Sequence, residues 1–328
     1  MTFNPAAYSL TATQAVEKME DRQKFEKENS HRALRFFVEG LQEIMPNQYP
    51  GEVAMIQAKS FEGKSTVIKA WAAICEQDVT SKAKSALTGL ISHEDTAETS
   101  AEQQIERYGS KMGYVSSQML YVGRSFGMLP EDIADLHMSN IARVLLYAQN
   151  EQFAEKKHFS ALFYDYIQRT PPDPERRTMG RGDQMRFQMR DDVTRLCNAA
   201  VTFKCPVVFA SQSTLKATYT PYSAEMPIPG PGDTDEAKEI YQIPDRAYGL
   251  WKVSQKYPTP GTMIESGAWK FQSAPDLFFL WCEKFRYYQP IKDKPRYAPI
   301  GRVFPIKIDS RGNFFYDKEY HKSIYVGA

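Results

Sequence analysis

The sequence predicts an α/β domain with a mainly parallel sheet, helices on both of its faces, a C-terminal antiparallel extension, and a helical arm in front. Three observations predict it. Short apolar runs alternate with helical periodicities over most of the 328 residues. The first run, Val53 to Ile56, passes through a turn ending in Gly63-Lys64-Ser65 into a helical pattern with Val67, Ile68, Trp71 and Ile74 on one face. The last two runs, Arg302 to Ile308 and Asn313 to Phe315, flank Asp309-Ser-Arg-Gly312 as a turn-linked pair of strands.

Composition narrows the function. Apolar residues at 42% and charged residues at 25% describe an ordinary globule. A net charge of +1 excludes a globally basic nucleic-acid coat, so polyanion binding must come from local clusters. Cys75, Cys197, Cys205 and Cys282 are far apart in apolar or helical patterns and read as reduced core thiols rather than a zinc site. No apolar stretch approaches the roughly 20 residues of a membrane span, and the N-terminus lacks a basic-then-apolar signal. A reducing, cytoplasmic compartment is therefore expected.

Residues 1–46 form the arm and 47–328 the main domain. Glu17 to Glu28 is almost all charge, with a thin apolar stripe that is either solvated or docked on a neighbouring subunit. The phosphate loop follows the first strand, and Ser60, Phe61, Glu62, Gly63, Lys64, Ser65 and Thr66 are its candidate binding residues. A helix N-terminus exposes unpaired N–H groups, so polyphosphate can rest there, with Lys64 on its oxygens and Ser65 on Mg²⁺.

Ala86 to Ser92 reads as the second strand, ending beside Glu94; a helix beginning at Ser100 makes Glu98 a rival for the water-activating carboxylate. Met119 to Val122 is a third strand. Pro130 to about Ala154 reads as helix, with Ile133, Leu136, Ile141, Val144 and Leu145 at helical spacing. The strand Phe159 to Asp165 closes on an acid suited to supporting Mg²⁺.

Arg169, Arg176, Arg177, Arg181, Arg186 and Arg190 form the most basic local region, a mobile loop able to neutralise the phosphates of a strand without reading bases. A helix carrying Met185, Met189, Val193, Leu196 and Ala200 leads to the strand Pro206 to Ala210, which ends in Ser211-Gln212. Residues 216–262, rich in proline, glycine and tyrosine, read as one long inserted loop. The strand Asp276 to Cys282 then delivers Glu283-Lys284-Phe285-Arg286.

This order of signals resembles the ATPase domain of DnaB-type replicative helicases, within the RecA-like P-loop class. Ala58-Lys-Ser-Phe-Glu-Gly-Lys-Ser65 is similar to that family's phosphate loop, which also begins with alanine; Ile91-Ser-His-Glu94 resembles its strand-end catalytic glutamate. Tyr164-Asp-Tyr-Ile-Gln168 is similar to its Asp-Tyr-Leu-Gln motif, and Ala210-Ser-Gln212 resembles its sensor strand. Glu265-Ser-Gly267 with Ala274-Pro-Asp276 resembles the loop and strand before its basic finger, which Lys284-x-Arg286 matches.

The resemblance implies a ring-forming, hexameric, ATP- and Mg²⁺-dependent helicase of DNA replication. In it Lys64 and Ser65 bind phosphate and Mg²⁺, Asp165 supports the metal, Glu94 polarises water, and Gln212 senses the γ-phosphate. Lys284 and Arg286 reach the adjacent subunit's site. Single-stranded DNA would be held by the Arg169 to Arg190 loop and the 213–266 loop, including Lys216, with primase or a helicase loader as partners. The family's long N-terminal helical collar is absent from the sequence. Glu62 stands where the family has a neutral residue, and the 216–262 segment is longer than its equivalent. A collarless version suggests a phage or mobile-element protein. The alternative is a RecA- or KaiC-like ATP-gated assembly that binds DNA or protein without unwinding.

Overall fold

A computed structural model describes Glu20 and residues 33–78, 83, 85–106, 118–153, 155–174, 181–213, 226–230, 233, 238–286 and 300–326. Its centre is a ten-stranded sheet in the order β1-β12-β11-β10-β7-β2-β6-β5-β3-β4. The strands are β1 Val38–Glu39, β2 Val53–Ala58, β3 Ala86–Thr96, β4 Met119–Arg124, β5 His158–Asp165, β6 Val207–Gln212, β7 Arg246–Lys252, β10 Leu277–Phe285, β11 Val303–Ile308 and β12 Phe314–Phe315. Strands β4, β3, β5, β6, β2 and β7 run parallel, whereas β10, β11 and β12 alternate in direction. A separate hairpin joins β8 Met263–Ser266 to β9 Trp269–Gln272.

The period of two along β2 divides the core. Ala54 and Ile56 face α1 (Lys64–Asp78), which buries Val67, Ile68 and Trp71 against Phe163, Tyr248 and Leu280. Val53 and Met55 face the other layer, where α4 (Met138–Asn150) and α5 (Arg181–Thr202) pack on Leu162 and Phe209. Helices therefore cover both faces, as expected. A third cluster of Trp251, Phe279, Phe271, Ile228 and Ile324 is built by the β8–β9 hairpin and by α8 (Lys318–Ile324). The turn before the first core strand is anchored too: Trp71 Nε1 donates to the Arg35 carbonyl at 2.7 Å, and its ring lies 5.1 Å from that of Phe37.

Several elements depart from the sequence expectation. Residues 216–262 are not one loop. They contain α6 (Lys238–Gln242), the core strand β7, and α7 (Val253–Lys256). Strand β7 has Gly249 at its middle because the Pro229 carbonyl crosses there; a Cβ would stand 2.2 Å from that oxygen. The helix expected over 130–154 splits into α3 (Pro130–Ala134) and α4, the latter N-capped by the extended, buried His137. Ile141, Leu145 and Ala148 form its buried face, while Val144 is exposed.

Strand β3 runs on to Thr96, whose hydroxyl accepts from Thr99 N at 3.1 Å and caps α2 (Ala97–Gln104), so that helix starts before Ser100. Arg181, Arg186 and Arg190 belong to α5 rather than to a mobile loop. The side chains of Arg181 and Arg186 lie outside the described residues, as do Arg176, Arg177, Lys216 and, apart from the helical Glu20, the charged arm stretch Glu17 to Glu28. Among the described residues no helix is long and apolar enough to cross a membrane.

Candidate functional site

The parallel strands β2, β3, β5 and β6 end at one edge of the sheet, and the site is assembled there from the residues that follow each strand. After Ala58 the chain turns through Phe61 (φ 64°) and Gly63 (φ 86°) and enters α1 at Lys64. Gly63 is required twice over, by its left-handed backbone and by the Phe278 ring, which would stand 2.9 Å from an added Cβ. Phe61 is 85% exposed at the crest of the turn, and its carbonyl accepts from Gln255 Nε2 at 3.1 Å.

Glu62 is buried and points back into the loop. Its Oε2 accepts from Lys59 N at 2.9 Å, and burial pushes its pKa up to about 7. The acid that is anomalous in a phosphate loop is therefore tucked beneath the turn, where it braces the backbone. Lys64 Nζ donates to the Lys59 carbonyl at 2.8 Å. Burial holds its pKa below the lysine value, against the opposing pull of Asp165, Glu62 and Glu94.

Asp165 ends β5, directly across the register from Ser92 of β3. It is fully buried, and among the described residues the Ser65 hydroxyl is the polar side chain at its carboxylate, near enough to lower its pKa. Burial raises its pKa to about 6, with the neighbouring Ser65 hydroxyl and the charges of Lys69 and Lys64 acting the other way. A buried carboxylate beside a serine hydroxyl at a helix N-terminus matches the hard oxygen ligands a divalent cation takes. The donor set fits Mg²⁺ on this ground.

Glu94 is exposed at the same edge, within the electrostatic reach of Lys64, Asp165 and Arg169. Glu98 is turned elsewhere. Its Oε1 accepts from Phe126 N at 3.2 Å in the loop after β4. Between them Asp95 pairs with the buried Lys69 at 2.5 Å, tying the end of β3 to α1.

Gln212 sits opposite Ala58 in register. Its backbone is clamped by Gln168, whose Oε1 accepts from Gln212 N at 2.9 Å and whose Nε2 donates to Ser211 Oγ at 2.9 Å and to the Gln212 carbonyl at 3.0 Å. Arg169 donates from Nε to Tyr166 Oη at 2.9 Å, which stations the guanidinium at this edge rather than out in a basic loop.

Lys284 and Arg286 are at the other end of the sheet. Strand β10 runs antiparallel to β7, so Phe278 pairs with Lys252 near the phosphate loop while Phe285 pairs with Arg246 at the far end. There Lys284 Nζ donates to the Gln242 carbonyl at 2.8 Å and Arg286 Nη2 to the same oxygen at 2.7 Å, capping the C-terminus of α6. Burial and the adjacent Arg286 lower the Lys284 pKa to about 8. Within one chain this pair and the phosphate loop occupy opposite edges.

Sequence reasoning missed the wall beside the loop. An open cleft of about 610 Å³ is lined by Phe61, Gly63, Ser65 and Thr66 on one side and by Lys252, Gln255, Phe278 and the Asp309–Gly312 turn on the other. The turn was legible as a turn. Its position beside the phosphate loop follows from the pairing of β10 with both β7 and β11, which no local pattern announces.

No family model matches the chain, and no curated protein matches its sequence. Solved structures do match its fold. The ATPase domain of G40P superposes with a TM-score of 0.62 at 12% identity, covering 92% of this chain and 99% of that one. A DnaB-like replicative helicase, solved for its interactions with primase, gives 0.56 at 14% identity, covering 82% of this chain and 60% of that one. A KaiC-like protein from the hyperthermophilic archaeon Pyrococcus horikoshii OT3 gives 0.50 at 11% identity, covering 87% and 98%. The protein thus has the RecA-like ATPase fold. Within that class the likeness extends to the ATPase domains of DnaB-like helicases.

Proposed function

We propose that the protein is a ring-forming, ATP-driven translocase on single-stranded DNA that acts as a DNA helicase in replication. One observation carries the reading. Lys64, Ser65 and Asp165 converge at one sheet edge while the basic pair Lys284 and Arg286 is held at the other, so a chain cannot supply both halves of a site to itself. A closed ring of identical subunits, a hexamer by likeness to the DnaB type, brings one chain's basic edge to its neighbour's phosphate loop.

In this reading the α1 N-terminus and Lys64 hold the β- and γ-phosphates of ATP. Ser65 and Asp165 hold Mg²⁺, which when bound neutralises charge on the phosphate oxygens. Glu94, free of the contact that engages Glu98, orients the attacking water. Gln212, positioned by Gln168, sits where it can report the γ-phosphate to the segment that follows β6. Lys284 and Arg286 stabilise transition-state charge across the interface once released from the α6 carbonyls. The nucleoside lies in the cleft between Phe61 and the Asp309–Gly312 turn. Arg176, Arg177, Arg181, Arg186 and Lys216 contact strand phosphates; Arg169, beside Glu94, couples that contact to the water-orienting group.

The test is ATP hydrolysis and fork unwinding with and without single-stranded DNA, with native mass measured in the presence of nucleotide. Strand-stimulated hydrolysis, unwinding supported by ATP and not by a non-hydrolysable analogue, and a ring-sized mass are expected. Nucleotide-dependent assembly without strand displacement would replace this reading with a KaiC-like one.

A further inference from the structure

A second cleft, of about 870 Å³, lies at the sheet edge opposite the phosphate loop and shares no residue with the cleft described above. Its volume is in the range of roughly 300 to 1,000 Å³ that small-molecule sites span. Its walls come from parts of the chain that the proposed motor does not use: the turn after β1, the start of β11, the end of β12, the β8–β9 hairpin and α8.

Those walls are aromatic. Trp269 and His321 stack with centroids 5.2 Å apart and planes at 29°, and Tyr325 meets Trp269 edge-on at 5.0 Å. Phe304 and Tyr316 close the side, 5.8 Å apart, and Tyr316 Oη is 2.7 Å from His321 Nδ1. Tyr325, on the lining, is 44% exposed.

Two cations, Arg302 and Lys318, stand exposed on the lining, and Lys318 makes no ion pair among the described residues. Burial, and after it the charge of Arg302, hold His321 below the usual histidine range, which keeps it a neutral, flat wall near pH 7. Glu43 also lines the cleft, and its negative charge weighs against a polyphosphate.

We propose that this cleft binds a nucleoside monophosphate group, its base against Tyr325 and Trp269 and its single phosphate on Arg302 and Lys318. Stacking on aromatic rings accepts any base, and a cation pair recognises a phosphate. Two sources carry this chemistry, a free mononucleotide and the 5′-phosphorylated end of a strand. An acidic peptide with an aromatic anchor is a different class of ligand, and binding of such a peptide in place of AMP would overturn the assignment.

The experiment is calorimetric titration of the full chain with AMP, with a 5′-phosphorylated oligonucleotide, with its 5′-hydroxyl counterpart and with an acidic peptide carrying one aromatic residue. Each titration is run on wild type and on Lys64→Ala, which disables the phosphate loop. AMP binding that survives Lys64→Ala and weakens at least about tenfold in Tyr325→Ala and in Lys318→Glu is expected; both side chains are exposed, so the fold should tolerate the changes. A preference for the 5′-phosphorylated oligonucleotide over the 5′-hydroxyl one assigns the strand end as the source, and AMP binding without that preference assigns the free nucleotide. Loss of all AMP binding in Lys64→Ala, or indifference to both surface variants, would overturn the site. These results separate cleanly from failure of the motor reading, since ATP hydrolysis is not the readout.

Discussion

Replacing Glu62 with glutamine should stabilise the protein at alkaline pH, against the intuition that a side chain bracing the phosphate loop is there for stability. In the folded chain the Glu62 carboxyl is buried, with Lys59 N as its backbone donor, and its pKa rises from 4.5 to about 7. A raised carboxyl pKa means that the folded state disfavours the ionised form. The cost is absent well below pH 4.5, grows between 4.5 and about 7, and is complete above that. At about 1.4 kcal/mol per pH unit, a rise of this size corresponds to a penalty of about 3 kcal/mol at pH 8 and about 1 kcal/mol at pH 5. Glutamine keeps an acceptor for Lys59 N and never ionises. Urea unfolding of Glu62→Gln and wild type at both pH values gives the difference directly, with titrations common to both cancelling. A variant no more stable than wild type at pH 8, or a gain that does not shrink at pH 5, would refute the reasoning.

Other perturbations follow from the same geometry. Glu52→Ala removes the carboxylate paired at 2.6 Å with the Arg246 guanidinium, 93% shielded at its side chain, and leaves that charge to neutral groups such as the Pro46 and Asn47 carbonyls; a loss of about 3 to 5 kcal/mol in denaturant unfolding is expected. Glu94→Gln should lower the turnover of ATP by about 10² or more while Glu98→Gln leaves it within a few-fold, as measured by steady-state phosphate release. The reverse order would exchange their roles. Asp165→Asn should raise the Mg²⁺ concentration needed for half-maximal hydrolysis at least about tenfold in a metal titration, because the amide keeps one oxygen but loses the negative charge and the second oxygen that the carboxylate offers a divalent cation.

The local parts of the candidate site are legible in the sequence. A phosphate loop is a strand, a turn and a helix in sequence, and Gly63-Lys64-Ser65 marks all three; Asp165 and Gln212 likewise end apolar runs that are strands in the fold. What could not be read is whatever depends on register or on distant partners. Strand β7 was hidden in a proline- and tyrosine-rich stretch because Gly249 yields to the Pro229 carbonyl and Arg246 is neutralised by Glu52, both non-local reasons. The end of β3 was cut short because a charged run, His93 to Asp95, stays extended by pairing Lys69 from α1 and by bonding His93 to Tyr164 at 2.7 Å. The backbone N–H of Phe126, on a different strand's loop, engages Glu98 and is likewise a partner no local pattern announces.

The central claim is that each ATP site is shared between two chains, and mixing inactive variants tests it most directly. Lys64→Ala loses the phosphate side of the site and keeps the basic edge, whereas Arg286→Ala keeps the phosphate side and loses the edge. Each alone should show no strand-stimulated ATP hydrolysis. Mixed, they should regain a fraction of wild-type turnover that peaks near equal proportions, because some interfaces then join an intact loop to an intact Arg286. Arg286→Ala hydrolysing ATP normally by itself, or mixtures that remain silent while assembling to the wild-type mass, would contradict the shared site.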